Sequence, residues 1–122
     1  MRDYVLMRQV LAAAVAHGPD DGIADFFSLG DSRAVEAELA RLSSDGLLEA
    51  TLSYDSFGCL TGCDVGSLTD EGAVFFRLVE NADVWRIVHS TLKAADVDIS
   101  YPLLKEVCEE IVKRYVMKFI PE

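Results

Sequence analysis

Apolar residues recur at two different spacings along this chain, and the switches between them mark out its elements. Over residues 4–17, Met7, Val10, Leu11, Ala14 and Val15 fall on one face of a helix. Gly18-Pro19-Asp20-Asp21-Gly22 then brings turn chemistry that ends it. Residues 23–28, Ile-Ala-Asp-Phe-Phe-Ser, alternate only partly and read as a brief strand or a tight turn into the next element. Asp31 or Ser32 is suited to cap a helix over about 32–45, because either side chain accepts from a free N–H of the first turn. Val35, Leu39 and Leu42 give that helix its buried stripe, and Gly46 stands where a left-handed residue closes it.

Past Gly46 the period changes to two. Leu48, Ala50, Leu52 and Tyr54 share one side of a strand over 47–54, with Glu49, Thr51 and Ser53 on the other. Asp55-Ser56-Phe57-Gly58 is a turn, and 59–68 returns as a second strand that Gly62 and Gly66 weaken or bulge. Helical spacing resumes at Thr69, a capping residue, with Val74, Phe75, Leu78 and Val79 on the apolar side of a helix over 69–80. Asn81-Ala82-Asp83 bends or breaks it, and Val84, Trp85, Val88 and Leu92 carry the period on. A last helix runs over about 102–119, with Pro102 in its first turn. Its apolar residues, among them Leu104, Cys108, Ile111, Tyr115 and Phe119, cover an arc wider than one packing stripe needs. That width suggests a homodimer interface; the competing reading buries the helix on two sides within one chain.

Helix, short segment, helix, hairpin and helix is the order of a winged helix-turn-helix. The expected class is therefore α+β, mostly α, with a two-stranded wing and additional C-terminal helices. The 122 residues fit a single domain, with 1–80 as a winged-helix core and 82–122 as a helical extension. The residues also resemble a family of small bacterial and prophage proteins of unknown function. Arg2-Asp3, Leu6-Met7-Arg8 and Val10-Leu11 are similar to its opening. Asp31, Val35, Leu39, Leu42 and Gly46-Leu47-Leu48 are similar to its central helix and following strand. Leu68-Thr69-Asp70-Glu71-Gly72 with Phe75, then Val84-Trp85, Ile99-Ser100-Tyr101 and Leu104-Lys105-Glu106, complete the match. The resemblance implies a winged-helix-like fold and a frequent setting in mobile elements, and brings no catalytic or binding residues.

Charge changes the functional expectation that such a fold carries. Eleven basic residues face twenty-one acidic ones, a formal net charge of −10. Winged helices that read DNA need cations on the docking helix and wing, since phosphate neutralisation supplies most of the affinity. Here no Lys or Arg occurs from 42 to 76, where Asp45, Glu49, Asp55, Asp64, Asp70 and Glu71 all fall. These six carboxylates are the candidate interaction surface, and a basic protein is the expected partner. A phage-encoded DNA mimic or anti-defence inhibitor, such as an anti-CRISPR, is the sharpest form of that expectation; the competing reading gives the charge only to solubility. Arg33 and Arg41 are the candidate DNA contacts of an alternative, a transcriptional regulator reading with helix 32–45. Against it stands simple pairing of the two arginines with Glu36, Glu38 or Asp45. Lys113, Arg114 and Lys118 suit the C-terminal end of a helix dipole.

No chemistry-bearing motif redirects this reading. Phosphate-binding and dinucleotide fingerprints are missing, and Gly58, Gly62 and Gly66 lie in a hairpin context. Cys59 and Cys63, four apart, supply at most half a metal site, and neither His17 nor His89 has a ligand pair nearby. With Cys108 the cysteines are odd in number and read as reduced thiols. Asp20-Asp21, Asp96 with Asp98, and Glu109-Glu110 read as solvated carboxylates. The sequence therefore predicts a cytosolic protein that is no enzyme, takes no cofactor or metal and spans no membrane.

Overall fold

The computed structural model describes residues 2–16 and 24–121. Six helices and one hairpin occur among them: α1 (Tyr4–Ala16), α2 (Ala24–Phe27), α3 (Ser32–Ser44), β1 (Leu48–Tyr54), β2 (Leu60–Leu68), α4 (Asp70–Val79), α5 (Ala82–Ala95) and α6 (Tyr101–Met117). The chain is thus mostly helical with one two-stranded antiparallel sheet, an α+β architecture. The turn expected at 18–22, His17 and Asp20-Asp21 lie outside the described residues.

Local chemistry sets most of the boundaries. Asp31 Oδ1 accepts from the Arg33 N–H at 2.8 Å and starts α3. At the other end Gly46 takes φ +78°. Its N–H bonds Ser43 O at 3.1 Å, and the Leu47 N–H bonds Leu42 O at 2.9 Å. This double closure satisfies orphan carbonyls and turns the chain straight into β1. Thr69 Oγ1 accepts from the Gly72 N–H at 3.0 Å and donates to Gly46 O at 2.6 Å, so one side chain caps α4 and ties it to the end of α3. Asn81 Oδ1 accepts from the N–H groups of Asp83 and Val84, which caps α5 and places the break between α4 and α5 at 80–81.

The segment 23–28 is corrected by its aromatics. Residues 24–27 form a single helical turn, neither strand nor simple turn, because Phe26 and Leu29 must reach the same core from one side. Phe26 is fully buried, and the Leu29 N–H closes onto its carbonyl at 3.2 Å. Two further expectations shift face: Val15 and Val74 are exposed.

In the hairpin Leu48 pairs with Leu68, Ala50 with Val65, Leu52 with Cys63 and Tyr54 with Leu60. The register slips twice, each time by one extra residue on β2, beside Gly66 and beside Gly62. Gly66 lies under Glu49, whose Cβ stands 3.2 Å from where a side chain would begin. The core is one cluster to which α1 gives Leu6, Met7, Val10, Leu11 and Ala14, and α3 gives Val35, Leu39 and Leu42. Phe75 and Val79 of α4, Val84, Trp85, Val88 and Leu92 of α5, and Leu104 and Cys108 of α6 join it, with Tyr4, Phe26, Leu47 and, from the hairpin, Leu48 and Val65. Gly72 allows the closest approach: a Cβ there would fall 1.9 Å from Leu47 O. Arg8 pins three helices together. It donates to Val79 O and Glu80 O at 2.8 Å, at the end of α4, while its guanidinium lies 5.5 Å from the Trp85 ring centroid. No helix among the described residues is long and apolar enough to cross a membrane.

Candidate functional site

The hairpin ends in a tightly bonded tip. Asp55 Oδ1 accepts from the N–H groups of Phe57 at 2.8 Å and Cys59 at 2.9 Å, and the Asp55 N–H bonds Cys59 O at 2.9 Å. Gly58 takes φ +79° to close the turn. These bonds fix the backbone on both sides of Phe57, whose ring stands 89% exposed. Sequence patterning assigned Phe57 only to a turn; the turn chemistry was visible, and the exposure of the ring was not.

The six acidic candidates divide into two groups. Glu49, Asp55, Asp64 and Asp70 are exposed, with Glu49 and Asp64 lining one shallow depression of the sheet with Thr51 and Gly66. Asp45 and Glu71, at the base of the hairpin, are taken by cations from outside the 42–76 stretch. Arg2 Nη1 stands 3.4 Å from Asp45 Oδ2, and Lys105 Nζ bonds Glu71 Oε1 at 2.7 Å. Tyr101 donates its hydroxyl to the same Glu71 oxygen at 2.7 Å. The Lys105 hydrogen bond and then the Tyr101 one hold the Glu71 carboxyl below its usual value. Burial, reinforced by Glu71, pushes the Tyr101 phenol well up, and the hydrogen bond to Glu71 raises the Lys105 ammonium.

The arginines of α3 also sit differently from the simplest expectation. Neither Arg33 nor Arg41 pairs with Glu36, Glu38 or Asp45. Arg2 takes that place: its Nη2 bonds Glu38 Oε1 at 2.6 Å, its Nε bonds the same oxygen at 3.0 Å, and both side chains are buried. Its own N–H bonds Asp98 Oδ1 at 2.8 Å, which holds the Asp98 carboxyl below its usual value. Separations of 36, 43 and 96 residues left no local pattern from which these bonds could be read. Arg41 is half-buried with Nη2 3.5 Å from Ile99 O, and Arg33 is exposed at the rim of a cleft with Glu36, Tyr54 and Cys59. Burial and a hydrogen bond to Glu36 raise the Tyr54 phenol.

Of the candidate dimer contacts, Leu104 and Cys108 are fully buried in the chain's own core, so that part of the expectation is corrected: the helix turns this side inward onto α4 and α5. Ile111 and Tyr115 are half-buried against the same core, and Phe119 is exposed, its ring 5.3 Å from Tyr115. Burial, with Glu109 adding to it, pushes the Cys108 thiol up to about 12. Cys59 is exposed and Cys63 half-buried, the latter raised by burial and by Asp64 and Glu36. Among the described residues no three His, Cys, Asp or Glu side chains come together as a metal site. His89 stacks on Trp85 at 5.8 Å.

No protein-family model matches the chain, and no solved structure matches it. It is similar to an uncharacterized protein of Haemophilus influenzae, with 27% identity over 115 residues that cover 93% of this chain and 96% of that protein.

Proposed function

We propose that this chain is a non-enzymatic protein-interaction module on a winged-helix plan, whose hairpin is the binding arm and whose partner presents a basic surface with an apolar pocket. The observation that carries this reading is the tip. Phe57 is held out on a bonded turn, and the exposed carboxylates nearest along the hairpin are Glu49, Asp55 and Asp64. An aromatic on a rigid support is the kind of side chain that dominates protein interfaces. Phosphate contact calls for cations at this place, and the hairpin has none. The two carboxylates at the base are neutralised within the chain, so a phosphate-mimicking role, including inhibition of a host defence protein by a phage product, rests on Glu49, Asp55, Asp64 and Asp70.

A second reading has one observation in its favour. The outward face of α3 carries Ala34, Ala37, Ala40 and Ser44, small enough to enter a DNA groove, and Arg33 stands exposed beside them. A duplex-binding titration at low salt separates the readings. The interaction module is expected to leave DNA unbound at micromolar protein and to capture a basic protein from its native host. That capture is expected to be lost with Phe57→Ala and weakened by Glu49→Gln with Asp64→Asn. Salt-sensitive duplex binding that disappears with Arg33→Ala would establish the regulator instead.

A further inference from the structure

The last helix has a side that its own fold leaves uncovered. Leu104 and Cys108 face the core. The side turned away presents Leu103, Val107, Glu110, Arg114 and Met117, alternately four and three residues apart, the spacing of a seam that meets another helix. Leu103 and Met117 are 45% and 58% exposed. Val107 and Ile111 line an open groove of about 1010 Å³ between α5 and α6, to which α5 contributes Ile87 and Thr91.

Charge along this side is ordered. Glu106, Glu109 and Glu110 occupy its first half, and Lys113, Arg114 and Lys118 its second. Residues 101–118 hold four basic and three acidic side chains, so α6 carries none of the excess behind the chain's net charge of −10. Two such chains approaching anywhere on the acidic hairpin repel each other, and approaching along α6 they do not. The ordering also fits only one relative direction. Parallel helices set acid against acid, whereas antiparallel helices set each acidic half against a basic one.

We propose that a second copy of this chain docks in the groove, its α6 antiparallel to the first about a two-fold axis level with residue 112. In that register Glu110 faces Arg114 of the second copy, Glu106 faces Lys118, and Val107 packs on Met117, each contact occurring twice by symmetry. Glu110 and Arg114 already bond each other at 3.2 Å within one helix, and both are exposed enough to change partners. About that axis the two copies of α6 overlap over residues 107–117, a contact about 16 Å long. A single helix pair of that length falls short of the usual stable interface, so the dimer is weak and concentration-dependent, with a constant between micromolar and millimolar.

Sedimentation equilibrium of the full chain from about 1 µM to about 1 mM tests this. The wild type is expected to dimerise, and less at high salt. A Glu106→Lys/Glu110→Lys chain and an Arg114→Glu/Lys118→Glu chain are each expected to stay monomeric, and to form a one-to-one dimer when mixed. Met117→Lys, at an exposed site in the last turn that faces Val107 of the second copy, is expected to weaken the wild-type dimer roughly tenfold or more, and decides the matter should a charge variant lose its helical circular dichroism. A wild type monomeric at every concentration overturns the proposal. So do charge variants that dimerise as the wild type does, which would put the contact elsewhere, and a mixture that remains monomeric, which would remove the antiparallel register. A Met117→Lys dimer as tight as the wild type also counts against the seam.

Discussion

Replacing Arg2 by alanine is expected to cost more than any exposed substitution in this chain. Its guanidinium is 1% exposed and meets both oxygens of Glu38, itself 6% exposed, at 2.6 to 3.4 Å, with Asp45 3.4 Å away. The alanine leaves Glu38 buried with no cation beside it. Breaking a buried pair from one side costs about 3–5 kcal/mol, because the surviving charge has lost both water and partner. We expect about 3 kcal/mol, the lower end, since Arg2 precedes the first helix and a segment outside regular structure opens locally at less cost. With a urea dependence of about 1.5 kcal/mol/M, that lowers the unfolding midpoint by about 2 M, read by far-ultraviolet circular dichroism. The control is Arg2→Met with Glu38→Leu, which removes both charges and keeps the volume. A net-costly desolvation makes the double variant as stable as the wild type or more so. A midpoint shift below about 0.5 M for Arg2→Ala, or a double variant as unstable as the single, would refute the reasoning.

Four further outcomes are expected. Gly72→Ala forces a Cβ to within 1.9 Å of the Leu47 carbonyl, a backbone atom that cannot swing aside, so the base of the hairpin must part from α4; loss of the cooperative urea transition or a drop of several kcal/mol, about 3 or more, is the result to look for. Leu39→Ala empties a fully buried site and is expected to cost about 2–5 kcal/mol in the same assay. Glu71 titrates below its ordinary 4.5 because Lys105 and Tyr101 hold its charged form. The stability it contributes is therefore complete above that ordinary value and lost as pH falls through the lowered folded one. Urea midpoints measured from pH 7 to about pH 3 should show this limb in the wild type and a shallower one in Glu71→Gln. Native thiol titration should label Cys59 first and Cys63 more slowly, while Cys108, fully buried and raised to about 12, reacts only on unfolding.

The parts of the fold that were legible share a physical cause: each was written in neighbouring residues. Asp31, Gly46, Thr69 and Asn81 act on backbone groups within a few positions of themselves, and the change of period at Gly46 follows from one residue taking a left-handed conformation. Gly62 and Gly66 flagged a hairpin whose register does slip beside them. The single turn at 24–27 was missed because four residues are too few for a helical period to declare itself, and only the burial of Phe26 demands it. Asp45 and Glu71 were grouped with the free carboxylates for a related reason. Their partners, Arg2 and Lys105, lie 43 and 34 residues away and reach them only once α1, α3, α4 and α6 have packed. The wide apolar arc of α6 was read correctly as an arc, but its inner half, Leu104 and Cys108, went to the wrong neighbour, since spacing shows that a face is apolar and not what covers it.

The placement of cations on the hairpin bears on what its acidity is for. Arg2 and Lys105 meet Asp45 and Glu71 at its base, where the strands join α3 and α4, while Asp70 beside Glu71 and Glu49, Asp55 and Asp64 along the hairpin have no cation in an ion pair among the described residues. Charge balance at the base does have a mechanical effect. With the Thr69 hydroxyl bonded to Gly46 O and its N–H to Leu47 O, it fastens the hairpin to two helices at once. Asp55, bonding two N–H groups of the turn, stiffens the other end. In the proposed interaction, an arm fixed at both ends would lose little conformational freedom on meeting its partner at Phe57, so more of the contact energy would survive as affinity. Loosening the base without touching the tip, by Thr69→Ala, should therefore weaken partner capture as well as stability, and Phe57→Ala should weaken capture alone. If Thr69→Ala lowered the urea midpoint and left capture unchanged, the stiffness of the arm would have no part in binding.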